Sequence, residues 1–148
     1  MRATLRINLA TADRLVAEGE RMIVRHRAIA EALENEAHGS SETILRARNV
    51  LTSIEVLQAR RIANRDQLRR ATLQIDLASA ERVVAEGERT IARQRDIAEA
   101  LGNEAGVSSG ASVRAWNVFN SIEALHSRQI ANREQLRRLL AEPQNGNE

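Results

Sequence analysis

The sequence predicts an all-α protein, an antiparallel, coiled-coil-like four-helix bundle made from two duplicated αα-hairpins. Three observations predict it. The chain repeats itself at an offset of 68 residues, each copy shows helical apolar spacing, and aromatic residues make up only 1%. A core without aromatics is built from Leu, Ile, Val and Ala, which suits helices packed closely together.

Residues 3–70 align with residues 71–138 without a gap, and 44 of the 68 pairs are identical. Val16-Ala17-Glu18-Gly19-Glu20-Arg21 recurs as Val84-Ala85-Glu86-Gly87-Glu88-Arg89, and Gln67-Leu68-Arg69-Arg70 as Gln135-Leu136-Arg137-Arg138. Such a repeat is one supersecondary unit used twice. Residues 1–138 are therefore expected to form a single bundle domain. The segment 139–148 has no counterpart, and with Pro143 and Gly146 it is expected to be a disordered tail.

The first helix of copy one is marked by Leu5, Leu9, Ala12, Val16, Gly19, Ile23, Ala30, Leu33 and Ala37, in alternating four- and three-residue steps interrupted by His26. Leu73, Leu77, Ala80, Val84, Gly87, Ile91, Ala98, Leu101 and Ala105 repeat the series around Gln94. Ala12 and Gly19 are small enough to let a paired helix approach closely. The second helices are expected to bury Ala47, Val50, Ile54, Leu57 and Leu68, then Ala115, Val118, Ile122, Leu125 and Leu136. Between the helices, His38-Gly39-Ser40-Ser41 and Gly106-Val107-Ser108-Ser109-Gly110 supply glycines for helix ends and Ser41 or Ser109 as N-caps. Each copy then reads as an αα-hairpin.

No Gly or Pro separates the copies at Leu68-Arg69-Arg70-Ala71-Thr72-Leu73. Continuing the first apolar pattern calls for positions 71, 75, 78 and 82, whereas the second copy uses 73, 77, 80 and 84. That shift is about 200° around a helix. A turn near residues 70–72, with Thr72 as N-cap, would return both stripes to one core and close the bundle. The alternative is a pair of elongated hairpins sharing one central helix over about 43–105, roughly 95 Å long.

Composition narrows the function classes. There is no cysteine, which excludes disulfides and thiolate metal sites. No apolar run approaches the roughly 18 residues of a membrane span, and Asp13 and Glu18 interrupt any signal-like run after Met1. A cytoplasmic location is the expectation. The pI near 10.7 is inflated: all 22 basic residues are Arg and the net charge is only +2, with no Lys, Tyr or Cys to titrate at high pH.

Glu88-Arg89-Thr90-Ile91-Ala92-Arg93-Gln94-Arg95, followed by Ile130-Ala131-Asn132-Arg133-Glu134-Gln135-Leu136-Arg137, resembles the short, uncharacterised, Arg-rich helical-hairpin proteins of bacteria, here as a tandem duplication. The first copy departs at Val24 and His26, where that pattern has Ala and Gln. The resemblance implies a helical-hairpin fold and a bacterial cytoplasmic origin, and it implies no activity.

Little in the sequence points to catalysis, and the chain is read as non-enzymatic with no cofactor and no small-molecule substrate. Glu123-Ala124-Leu125-His126 has the Glu-x-x-His spacing of di-iron bundles, but its twin is Glu55-Val56-Leu57-Gln58 and lacks the second ligand. Surface Glu and His are the better reading. His26 is replaced by Gln94 in the other copy, as suits a polar residue that restricts register. In a closed bundle the two hairpin loops would share an acidic end and the other end would be basic. Arg61, Arg65, Arg69, Arg70, Arg137 and Arg138 are candidate anion contacts at that basic end. Complementing of helix C-termini by Arg explains the same cluster without a ligand. Trp116 and Phe119 replace Arg48 and Leu51. Phe119 is expected to be core, and Trp116, one position off the seam, is the candidate partner contact. The expected partner is a protein, self or other; nucleic acid is the less favoured alternative, and no membrane is implied.

Overall fold

The structure, a computed structural model, describes residues 2–35, 40–103 and 109–142. Three helices run through them: α1 (Arg2–Asn35), α2 (Ser41–Asn103) and α3 (Ser109–Ala141). No strand occurs among the described residues, and no helix there is long and apolar enough to cross a membrane. Ala37, His38, Gly39, Ala105, Gly106, Val107 and Ser108 lie outside the described residues, as does the tail from Pro143 onward. Helix α3 continues through Leu139 and Leu140 before that tail.

The turn expected near residues 70–72 is absent. Helix α2 passes through it as 63 residues of uninterrupted helix. Thr72, the candidate N-cap, instead donates its hydroxyl to the Leu68 carbonyl at 2.9 Å, a bond made within a helix. The local chemistry explains the continuity. From Arg60 to Glu86 there is neither Gly nor Pro, and Ala, Leu, Arg and Gln predominate, the residues that lose least on becoming helical. The chain thus makes two hairpins that share one central helix, not four separate helices.

Two compact units result, residues 1–72 and 73–148. In the first, α1 packs antiparallel on the opening half of α2: Gln58 lies over Gly19, Glu55 pairs with Arg27, and Arg48 with Glu34. In the second, the closing half of α2 packs on α3, with His126 over Gly87 and Arg137 paired to Glu81. The N-cap of α2 is Ser40 rather than Ser41. Its Oγ accepts from the Thr43 amide at 3.2 Å, while its carbonyl accepts from the Thr43 and Ile44 amides.

On α1 the residues that are not exposed are Leu5, Leu9, Ala12, Val16, Gly19, Ile23, His26, Ala30 and Leu33. That is the predicted stripe, including His26 on the seam. It is one residue wide, as a coiled-coil seam is, and narrower than the face of a globular bundle helix.

The stripe expected on the second helices needs correction. Val50 and Leu57 are 46% exposed, and Val118 and Leu125 are 49% and 55% exposed. Leu51 and Gln58 turn inward in their place, as do Phe119 and His126. The spacing explains it. Ala47 and Leu68 are 21 residues apart, three heptads, so alternating steps between them fall on 51, 54, 58, 61 and 65. The seam of α2 therefore includes Gln58, Arg61 and Arg65, all buried or half-buried.

The continuity of α2 is directly measurable. In hydrogen exchange, the amides of residues 68–74 should be protected as strongly as those two turns to either side. Exchange there at unprotected-loop rates would restore the turn.

Candidate functional site

In each hairpin a polar side chain of one helix packs directly over a glycine of the other. A Cβ on Gly19 would overlap the Gln58 amide, its Cδ lying only 2.6 Å away. In the other copy, a Cβ on Gly87 would meet His126 Cε1 at 3.0 Å and Gln129 Oε1 at 3.1 Å. Gln58 is 4% exposed and donates from Nε2 to the Val16 carbonyl at 2.8 Å. That bond crosses from α2 to an α1 carbonyl already engaged in its own helix, and it pins the register of the pair. Arg61 supports the same turn, reaching the Leu15 carbonyl at 3.4 Å. His126 is 8% exposed, so the surface reading of this histidine is wrong: it fills the space above Gly87, while Glu123 points outward. Gln58 Oε1, His126 Nδ1 and Gln129 Oε1 are buried without a hydrogen-bond partner. Among the described residues no three His, Asp or Glu side chains gather as a metal site.

Lettering the seam as heptads, with Leu9, Val16, Ile23 and Ala30 at a and Ala12, Gly19, His26 and Leu33 at d, separates two flanks. On the e flank of the first hairpin, α1 carries Asp13, Glu20, Arg27 and Glu34, and α2 carries Arg48 and Glu55. Antiparallel pairing brings e opposite e, and the ion pairs Arg27–Glu55 (3.2 Å) and Arg48–Glu34 (2.7 Å) lie there. Arg48 holds the Glu34 carboxyl below its ordinary value. The hydrogen bond to Arg48 is the main cause, desolvation opposes it, and the Arg48 charge adds to it. The g flank is different. Leu15, Met22 and Ile29 recur at heptad spacing on α1, and Val50 and Leu57 on α2, and all five are exposed. Val83 and Ile97 on α2, with Val118 and Leu125 on α3, repeat this flank in the second hairpin.

No known protein family matches the chain, and no curated protein and no solved structure matches it either.

Phe119 is 6% exposed and Trp116 is 39% exposed, the order expected from their seam positions. Their rings meet edge to face, with centroids 5.5 Å apart, and the Arg95 guanidinium lies 5.5 Å from the Phe119 centroid. Trp116 stands on the e flank, where its counterpart Arg48 holds Glu34.

The candidate anion contacts are not a set of free cations. Arg65 pairs with Asp66 at 2.8 Å, and Arg137 bridges Glu81 and Glu134, each at 3.1 Å. Arg61 is spent on the Leu15 carbonyl. Arg69, Arg70 and Arg138 are exposed.

Two measurements probe this geometry. Gly19→Ala should gain about 1 kcal/mol of helix propensity and lose at least as much by displacing the Gln58 amide. In a denaturation cycle with Gln58→Ala, the double variant should be more stable than additivity allows by about 0.5 kcal/mol or more. Simple additivity would mean that Gln58 does not cover Gly19. Separately, Arg48→Ala should raise the Glu34 titration midpoint seen by carboxyl-carbon NMR. Because the folded value lies below the unfolded one, the pair stabilises above the ordinary carboxylate range, and that contribution is lost as pH falls through the folded value. An unmoved midpoint would show that the pair does not form in solution.

Proposed function

We propose that this chain is a non-enzymatic helical interaction module that docks another protein chain along the apolar flank of its hairpins. One observation carries the reading: the first hairpin sets charges, joined by ion pairs, along one side and exposed Leu, Met, Ile and Val along the other, and the second keeps the Arg137–Glu81 pair and four of the five aliphatics. The seam alone buries little. Its buried apolar residues are Ala12, Val16, Ala30, Val84, Ala98 and Phe119, and no large side chain there is completely enclosed. Small two-helix units of this kind gain most by burying a further face. A partner lying along the apolar flank supplies the remaining helices of the four-helix packing that the apolar pattern implies. Trp116, half-exposed beside Phe119, offers an additional anchor on the opposite flank.

A photo-crosslinking residue placed at Val50 should form a protein adduct in the native host, while one placed at Ala59, on the outer face of the same helix, should not. Equal yields at both positions, or none at Val50, would overturn the docking reading.

Weak binding of a polyanion such as nucleic acid through Arg69, Arg70 and Arg138 is the second reading, favoured by their exposure. The engagement of Arg61, Arg65 and Arg137 within the chain limits it. Titration with duplex DNA at physiological salt should show only weak binding with a shallow salt dependence. Tight binding abolished by charge reversal at Arg69 and Arg70 would make the polyanion the principal ligand.

A further inference from the structure

The apolar flank of the first hairpin carries its own complement. Cross-helix contacts fix which residues of α1 and α2 stand at one height: Gly19 with Gln58, and Val16 with Gln58 through the buried amide. By the same register, Met22 stands level with Leu57, and Ile29 with Val50, to within about one turn. Just outside this stripe, at the c positions, Glu18 stands level with Arg60. Both are exposed, and neither makes an ion pair among the described residues.

We infer that the occupant of this flank is a second copy of the chain, with α1 of each first hairpin laid antiparallel against α2 of the other about a two-fold axis parallel to the helices. Such rotation keeps every residue at its own height, so the register within the hairpin becomes the register across the interface. Leu57 of the second copy then settles between Leu15 and Met22, and Val50 of the second copy between Met22 and Ile29. Glu18 meets Arg60 of the second copy, and the two-fold axis makes that pair twice. The competing two-fold arrangement, with each helix against its own equivalent, inverts the heights, so that the register within the hairpin no longer carries across and Glu18 and Arg60 fall on different helix pairs. The chosen arrangement makes all four neighbouring helix pairs antiparallel, the up-down-up-down packing of four-helix bundles.

The charge pair and the stripe recur in the second hairpin. Glu86 and Arg128 correspond to Glu18 and Arg60, and Val83, Ile97, Val118 and Leu125 to Leu15, Ile29, Val50 and Leu57. Thr90 stands where Met22 does, so the central anchor is missing there. The first hairpin is the stronger self-association surface.

This inference rests on the proposed docking function and identifies its partner. Sedimentation equilibrium of the purified full-length chain, from nanomolar to high micromolar concentration, should show a monomer–dimer equilibrium. Met22→Glu with Leu57→Glu should weaken dimerisation by about 100-fold or more, as removal of central anchors does. Glu18→Arg should weaken it by about 10-fold through opposition to Arg60, and adding Arg60→Glu in the same chain should restore it. Circular dichroism of the Glu18 and Arg60 variants should be unchanged, since neither residue forms an ion pair among the described residues. A chain that stays monomeric throughout overturns self-association. A heterologous adduct at Val50 would then leave the docking function standing with another partner, and absence of that adduct would remove both. Dimerisation indifferent to Met22, Leu57 and the charge swap would place the interface elsewhere and overturn the inference equally.

Discussion

A glycine in a packed helix leaves room for a side chain of the opposing helix where a Cβ would stand, and in this chain Gly19 and Gly87 provide that room. Each glycine accepts a polar side chain from the opposing helix, Gln58 or His126, into space that a Cβ would fill. The Gln58 amide then binds the Val16 carbonyl at 2.8 Å in a buried setting. Sliding the helices by one heptad would put Gln58 over Ala12 or His26, where a side chain occupies the space and the amide is left without its acceptor. Gln58 Oε1 is already unpaired in this register, so losing the Nε2 bond as well would leave both ends of a buried amide unsatisfied, and the contact selects one register more sharply than interchangeable Leu and Ile layers do.

Everything else about the hairpin surface follows from that register. With the seam fixed, the residues to either side divide into an e flank that pairs Arg27 with Glu55 and Arg48 with Glu34, and a g flank of exposed aliphatics. Exposed ion pairs of this kind stabilise little individually. Their larger effect is to make that flank a poor place for an apolar partner, while the other, with its row of aliphatics at heptad spacing, gains from burial. A two-helix seam with small residues at its centre cannot do more alone, because each helix offers only one residue per turn to its partner.

The sequence made α1 legible almost residue by residue, because its stripe is apolar apart from His26 and keeps the four–three alternation for eight steps from Leu5 to Leu33. On the second helices, following the apolar residues led one position astray, to Val50 and Leu57. The alternation between Ala47 and Leu68 points to Leu51 and Gln58 instead, and position in the heptad outranks polarity where a glycine faces the polar group. Gln58 and His126 were legible by that arithmetic, since both stand at the same repeat position opposite Gly19 and Gly87. The turn at residues 70–72 was inferred from a shift in stripe phase, on the premise that both stripes must share one core. A helix can instead present successive stripes to two different partners, here α1 and α3, and backbone propensity across Arg69–Leu73 favours continuing. The phase shift marks a change of partner and not a change of direction.

At two places on the seam and its charged flank, the two copies differ in matched sets. Glu34 and Arg48, an ion pair in the first hairpin, correspond to Gly102 and Trp116 in the second. An arginine kept opposite a glycine would have had no carboxylate, and a tryptophan kept opposite a glutamate would have left that acid without its donor. Trp116 instead finds Phe119 edge to face, and Phe119 has Arg95 over its ring. Arg95 is the counterpart of Arg27, which pairs with Glu55 in the first hairpin. The same guanidinium position therefore serves a carboxylate in one copy and an aromatic face in the other, two acceptors for one cation. Gln58 and Arg61 likewise change together, to His126 and Gln129, beside a glycine that stays. The flank exchanges ionic for aromatic chemistry where both members of a pair change, while the glycine that makes room for the polar side chain stays, as does the valine three residues before it.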